Sequence, residues 1–186
     1  VDIANLYKAQ LNYEKASEHY LYYYLSRPKQ IAYLQRQLLS LSDKGKDITP
    51  VVNALNTFVV NYPDNIEVRE ILAGLYLKDR QFNRAFYIYK SLETNESNGA
   101  FIQKFARESF SNKAFDHAIN GYEYLILYYK TSPLARQSYY DLGRSYASMA
   151  YSLEDSEEAG KVMEKAIKIY NDIITSQDYA VFVATS

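Results

Sequence analysis

Residues Ile71 to Leu92 read ILAGLYLKDRQFNRAFYIYKSL, and the fold is decided here. A large apolar residue, a small one and an aromatic stand at Leu72, Ala73 and Tyr76; then Phe82, Ala85, Tyr89 and Leu92 follow at steps of three and four. Such steps put side chains on one face of an α-helix, so the stretch is two helices in succession. A shift of 33 residues lands on Phe105, Ala106 and Ser109, then on Phe115, Ala118, Tyr122 and Leu125. A shift of 69 residues the other way lands on Ile3, Ala4 and Tyr7, then on Tyr13, Ala16, Tyr20 and Tyr23.

A further copy lies near the other end, at Leu142, Gly143 and Tyr146, with its second helix at Met163, Ala166, Tyr170 and Ile173. The two helices of that copy are offset from the preceding one by 37 and 48 residues, which implies an insertion of 11 residues inside the hairpin. The offset of 69 is two units of about 34, so a degenerate unit is expected between Lys29 and Pro63, with Val51 where the Ala should stand. The small residues have a physical purpose. Ala or Gly at a helix crossing lets two axes approach to about 8–10 Å, and an aromatic ring from the neighbour fills the groove. No stretch alternates apolar and polar residues for long, so no sheet is expected. Turn chemistry falls at Arg27-Pro28, Asp43 to Asp47, Tyr62 to Asn65, Asn95 to Gly99, Thr131 to Pro133 and Glu154 to Glu158.

Helix hairpins repeating at this period resemble the tetratricopeptide repeat, TPR. The likeness rests on Leu72-Ala73, Phe105-Ala106 and Leu142-Gly143, on the aromatic-x-x-Ala step, and on Pro28, Pro63 and Pro133 near unit ends. It implies an all-α, right-handed α-solenoid of about five antiparallel helix hairpins. The units fall at approximately 1–28, 29–65, 66–98, 99–132 and 133–176, with the start of a further helix at 177–186. In this register Val1 lies inside a first helix, and Asp178 to Val183 reads as the opening of another. Solenoid ends normally carry polar caps, so a fragment of a longer array, or docking through these ends, is expected. The segment Tyr129-Lys130-Thr131-Ser132-Pro133 through Leu142-Gly143-Arg144-Ser145-Tyr146 is similar to bacterial envelope TPR scaffolds.

Composition narrows the classes of function. The chain has 186 residues, with 21 Lys+Arg against 22 Asp+Glu and a net charge of -1. It lacks the basic field that a nucleic-acid binder needs. Without Cys it has no disulfide, thiol nucleophile or thiolate metal site, and its compartment stays open between cytoplasm and bacterial envelope. The longest uncharged run near the middle, Ile48 to Pro63, is too short and polar to span a bilayer. There are 21 Tyr and no Trp, a composition that suits helices packed side by side with phenol groups at the wet edges.

Candidates for chemistry are few. His19 and His117 occupy different repeat positions, and each has a carboxylate beside it in sequence, which should point another way on a helix. No nucleophile elbow, GxGxxG or phosphate loop is present. Lys44-Gly45-Lys46 reads as a solvated turn, and Ser156 before Glu157-Glu158 as a helix N-cap. The acidic insertion, Ser148 to Lys161, should lengthen both helices of the last hairpin by about three residues' worth of turn on each side of its loop. No catalytic, metal or cofactor site is expected; the rival is a glycan- or lipid-handling domain using the Tyr-rich faces.

The TPR resemblance instead implies a concave groove lined by first helices, holding a protein or peptide. Its exposed positions would be Glu67, Glu70, Gly74, Leu77 and Lys78 in the third unit. They would be Gln103, Lys104, Arg107, Phe110 and Ser111 in the fourth, and Gln137, Tyr140, Asp141, Arg144 and Ala147 in the fifth. Among these Gln103, Arg107, Phe110, Tyr140 and Arg144 are the candidate binding set. Arg107 and Arg144 should form a basic stripe for a partner with acidic and apolar residues. The TPR set that clamps chaperone C-termini is Lys/Asn/Asn/Lys/Arg; here it reads Glu70, Gly74, Lys104, Gln137 and Asp141, with the wrong charge at Glu70 and Asp141. The alternative role is self-association within a larger envelope assembly, using Tyr179, Val181 and Phe182.

Overall fold

A computed structural model describes residues 1–42 and 47–175. The expectations for Lys44-Gly45-Lys46, and for the segment from Asp178 with Tyr179, Val181 and Phe182, lie outside the described residues. The described residues are mostly helical and contain no strand. The chain divides into two compact units, 1–88 and 89–186.

In the first unit α1 (Asp2–Ala9) and α2 (Tyr13–Ser26) form a hairpin, and a 3-10 turn, Pro28–Gln30, leads into α3 (Ile31–Leu41). Then come α4 (Thr49–Asn61) and α5 (Ile66–Lys78). Helix α6 (Phe82–Leu92) runs across the division between the units. The second unit continues with α7 (Ala100–Ser111), α8 (Phe115–Tyr128), α9 (Pro133–Ser152) and α10 (Ser156–Thr175). Within the first unit α1 packs on α2, α2 on α3 and α4 on α5, and within the second α7, α8, α9 and α10 pack each on the next; helices two apart also meet, α2 with α4, α3 with α5 and α7 with α9. This is the stacking of successive hairpins, and the fold is all-α and TPR-like.

The repeat register is the core. Ala4, Ala16, Ala73, Ala85, Ala106 and Ala118 are fully buried, as are Tyr20 and Tyr122. In the degenerate unit Val51 and Leu55 take the Ala and Tyr positions and are equally buried, between Ile48 and Phe58. A Cβ at Gly121 would stand 2.9 Å from the Ala106 methyl and 3.3 Å from the Ala106 backbone. One at Gly143 would stand 2.9 Å from the ring of Tyr170.

The hairpin turns repeat as closely as the helices. Leu11, Arg80 and Lys113 all adopt positive φ, at 60°, 59° and 58°. After each comes a backbone N–H that reaches back across the turn: Asn12 N–H to Tyr7 O at 2.9 Å, Gln81 to Tyr76 at 2.7 Å, Ala114 to Ser109 at 3.0 Å. With Leu11 to Lys8, Arg80 to Leu77 and Lys113 to Phe110, these are three Schellman ends in the same register.

Helix starts are set by side chains. Asn12 accepts from Lys15 N–H, Asn65 from Val68 N–H and Ser132 from Leu134 N–H, the last with Pro133 in the first helical position. Helix α7 is capped from a distance, because the Glu93 carboxylate accepts from Ile102 N–H at 2.7 Å and Gly99 N–H at 3.0 Å. Gly99 has φ of 94°, a conformation that favours glycine.

Two expectations about the insertion need correction. Asp155, not Ser156, caps α10, its carboxylate accepting from Glu157 and Glu158 N–H at 2.8 and 2.9 Å. The lengthening is also uneven. Helix α9 runs nine residues past Gly143 where α7 runs five past Ala106. Helix α10 has ten residues before Ala166 where α8 has three before Ala118.

The close contact at Gly121 makes a paired stability test. Gly121→Ala should destabilise the protein by about 1–3 kcal/mol, because the backbone beneath cannot yield freely. Gly74→Ala, with nothing within 4 Å of the new methyl, should stabilise α5 by about 0.5–1 kcal/mol. Denaturant unfolding of both variants checks the contrast in sign.

Candidate functional site

Within the second unit, first helices α7 and α9 lie against each other and border a cleft of about 590 Å³. Helix α7 contributes Arg107, Phe110 and Ser111; α9 contributes Arg136, Gln137, Tyr140, Asp141 and Arg144. Four of the five candidate residues, Arg107, Phe110, Tyr140 and Arg144, are therefore brought together.

Gln103 is not. It is 7% exposed, and its side-chain nitrogen is buried without a hydrogen-bond partner. Helix α7 packs on both α8 and α9, and two buried faces leave only a narrow open one. Leu77, expected in the groove of the third unit, is buried for the same kind of reason. Lys78 bonds to Leu39 O and Ser42 Oγ.

The Arg144 guanidinium lies 4.4 Å above the Phe110 ring and 3.4 Å from the Asp141 carboxylate. Phe110 is braced edge-on by Phe115, with ring centroids 5.4 Å apart. Tyr140 leans on Tyr170 at 5.9 Å and keeps 48% of its surface exposed. Among the described residues no carboxylate pairs with Arg107 or Arg136, so the cleft carries net positive charge around an aromatic floor. Arg136 was not among the candidates. Its signal is the spacing Arg136, Tyr140, Arg144, three side chains four apart on one helix face.

Tyr122 lies in the packed cluster with Ala106, Ala118, Ile119 and Leu142, near these charges. Burial, reinforced by Asp141 and opposed by Arg107 and Arg144, pushes its phenol well above the usual tyrosine range. Its hydroxyl has no hydrogen-bond partner. Tyr20, in the equivalent position of the first hairpin, donates to Asn5 Oδ1 at 2.6 Å.

Elsewhere, His19 stacks on Tyr7 with ring centroids 5.3 Å apart. His117 Nε2 lies 3.6 Å from the Asp116 carboxylate, so these sequence neighbours do meet, against expectation. Among the described residues no group of three or more His, Asp or Glu is placed to hold a metal ion, and no helix is long and apolar enough to cross a membrane.

No protein-family model matches the chain, and no curated protein matches it. The solved structures it is similar to include two crystal structures of MamA. One has 19% identity and a TM-score of 0.43, covering 95% of this chain and 99% of the other. The second has 20% identity and a TM-score of 0.41, covering 95% and 92%.

The tyrosines give a second paired test. Tyr122→Phe removes a buried hydroxyl that bonds to nothing, so it should leave stability unchanged or raise it by about 1 kcal/mol. Tyr20→Phe loses a bond and should cost about 1 kcal/mol. Thermal unfolding of the two variants, measured side by side, reads the difference.

Proposed function

We propose that the protein is a non-enzymatic TPR scaffold that holds a protein or peptide segment in the α7–α9 cleft. One observation carries this reading: two arginines without acidic partners and a third stacked on Phe110 surround an aromatic floor open to solvent. Guanidinium forks bind carboxylates with two parallel N–H donors, and aromatic faces take apolar side chains. The preferred segment therefore carries acidic and apolar residues together.

Arg107→Glu is the cleaner probe, because changing Arg144 also strands the nearly buried Asp141 carboxylate. Titration calorimetry with acidic-aromatic peptides should show binding weakened about tenfold or more by Arg107→Glu. Affinity should also fall as salt rises from about 0.05 to 0.3 M. Peptide affinities indifferent to both changes would remove the assignment of the cleft while leaving the fold intact.

A second reading, self-association, is favoured by exposed apolar residues at Ile3 and Leu6 of α1 and at Ile167 and Ile174 of α10. A solvated apolar stripe on a repeat helix matches the face a neighbouring hairpin would cover. On that reading sedimentation velocity shows the s-value rising with concentration, and Ile167→Lys with Ile174→Lys abolishes the rise. A concentration-independent monomer counts against it.

A further inference from the structure

We propose that the α7–α9 cleft reads an extended peptide in the register acid-x-apolar-x-acid, its two acidic side chains four residues apart. This rests on the peptide-binding reading above and adds to it a spacing and a backbone conformation.

The register comes from where the cations stand. Arg136, Tyr140 and Arg144 line the cleft from one helix at successive steps of four. At 1.5 Å per residue, Arg136 and Arg144 leave the α9 backbone about 12 Å apart. Arg107 holds the position on α7 that Arg144 holds on α9 and borders the same cleft. One pole of the cleft is therefore Arg107 together with Arg144, the latter already engaged by Asp141 at 3.4 Å. The other pole is Arg136 alone. Tyr140 lies between the poles and is half exposed.

An extended chain advances about 3.3 Å per residue, so four residues span about 13 Å, close to the separation of the poles. Its side chains alternate faces, which puts residues i, i+2 and i+4 on one side. Acids at i and i+4 then meet the two poles, and the side chain at i+2 falls on Tyr140. A spacing of two is too short to reach both poles. A helical ligand would need acids about eight residues apart to cover the same distance.

Synthetic peptides of equal charge, with two Glu spaced two, four or eight apart and a Leu between them, test this. The spacing-two and spacing-four peptides use a Gly/Ser background and the spacing-eight peptide an Ala-rich one. Fluorescence anisotropy against the whole protein should show spacing four binding about tenfold tighter than either alternative. Arg136→Gln should erase the preference by weakening the spacing-four peptide alone. Lys130→Gln, which removes the same charge outside the cleft, should leave the preference in place. Equal affinities at all spacings, or preference for eight, overturn this inference; if Arg107→Glu still weakens binding, the peptide-binding reading stands. Absence of binding to every peptide overturns both.

Discussion

The structure depends on how closely helices can approach where they cross. At Gly121 and Ala106, and at Gly143 beneath Tyr170, there is no space for one more methyl group. Contacts of this kind lock the rotation of each helix about its axis as well as its distance from the next. Rotation is what matters to the cleft. Ala106 and Gly143 face inward, so the residues that follow them, Arg107 and Arg144, turn toward the open side together. A change that relaxed the crossing would move both guanidiniums without touching either.

The same register explains why tyrosine dominates this chain. A phenol ring fills the volume between helices that Ala and Gly leave, while its hydroxyl can reach a polar group at the edge. At three equivalent positions the outcome differs. Tyr20 finds Asn5, Tyr89 reaches the Glu108 carboxylate at 3.3 Å, and Tyr122 finds nothing. Burying a hydroxyl without a partner costs free energy, and the cost falls directly under the charged cleft. Asp141 shares that neighbourhood, a nearly buried carboxylate whose partner Arg144 is itself spread over Phe110. The helices around the cleft thus bury polar atoms without partners, those of Gln103 and Ser109 on α7 as well as the Tyr122 hydroxyl on α8.

Much of this was legible in the sequence because a packing register demands particular sizes at particular steps. Ala4, Ala16, Ala85 and Ala118 could be placed in the core by counting, and Val51 showed the degenerate unit by spacing alone. The site was half legible. Counting put Arg107 and Arg144 side by side, but periodicity within one helix does not say how far the next hairpin overlaps it. Gln103 and Leu77 were therefore expected on open faces and are buried. Arg136 was overlooked because it lies a turn outside the packing motif. The turns after α1, α5 and α7 were illegible: Leu11, Arg80 and Lys113 hold a backbone conformation usually marked by glycine, and none of them is glycine.

The long last hairpin carries a rule for how such chains change length. Its arms exceed those of the preceding hairpin by four residues on α9 and seven on α10, while the loop between them stays at three. Four and seven residues are close to one and two turns of helix at 3.6 residues per turn. Growth by near-whole turns leaves every side chain below the graft within about 40° of where it pointed before. Adding a single residue instead would swing the rest of that arm through about 100° and take Tyr170 off Gly143. The hairpin behaves like a threaded rod, which can be extended by nearly whole revolutions and jams on a third of one.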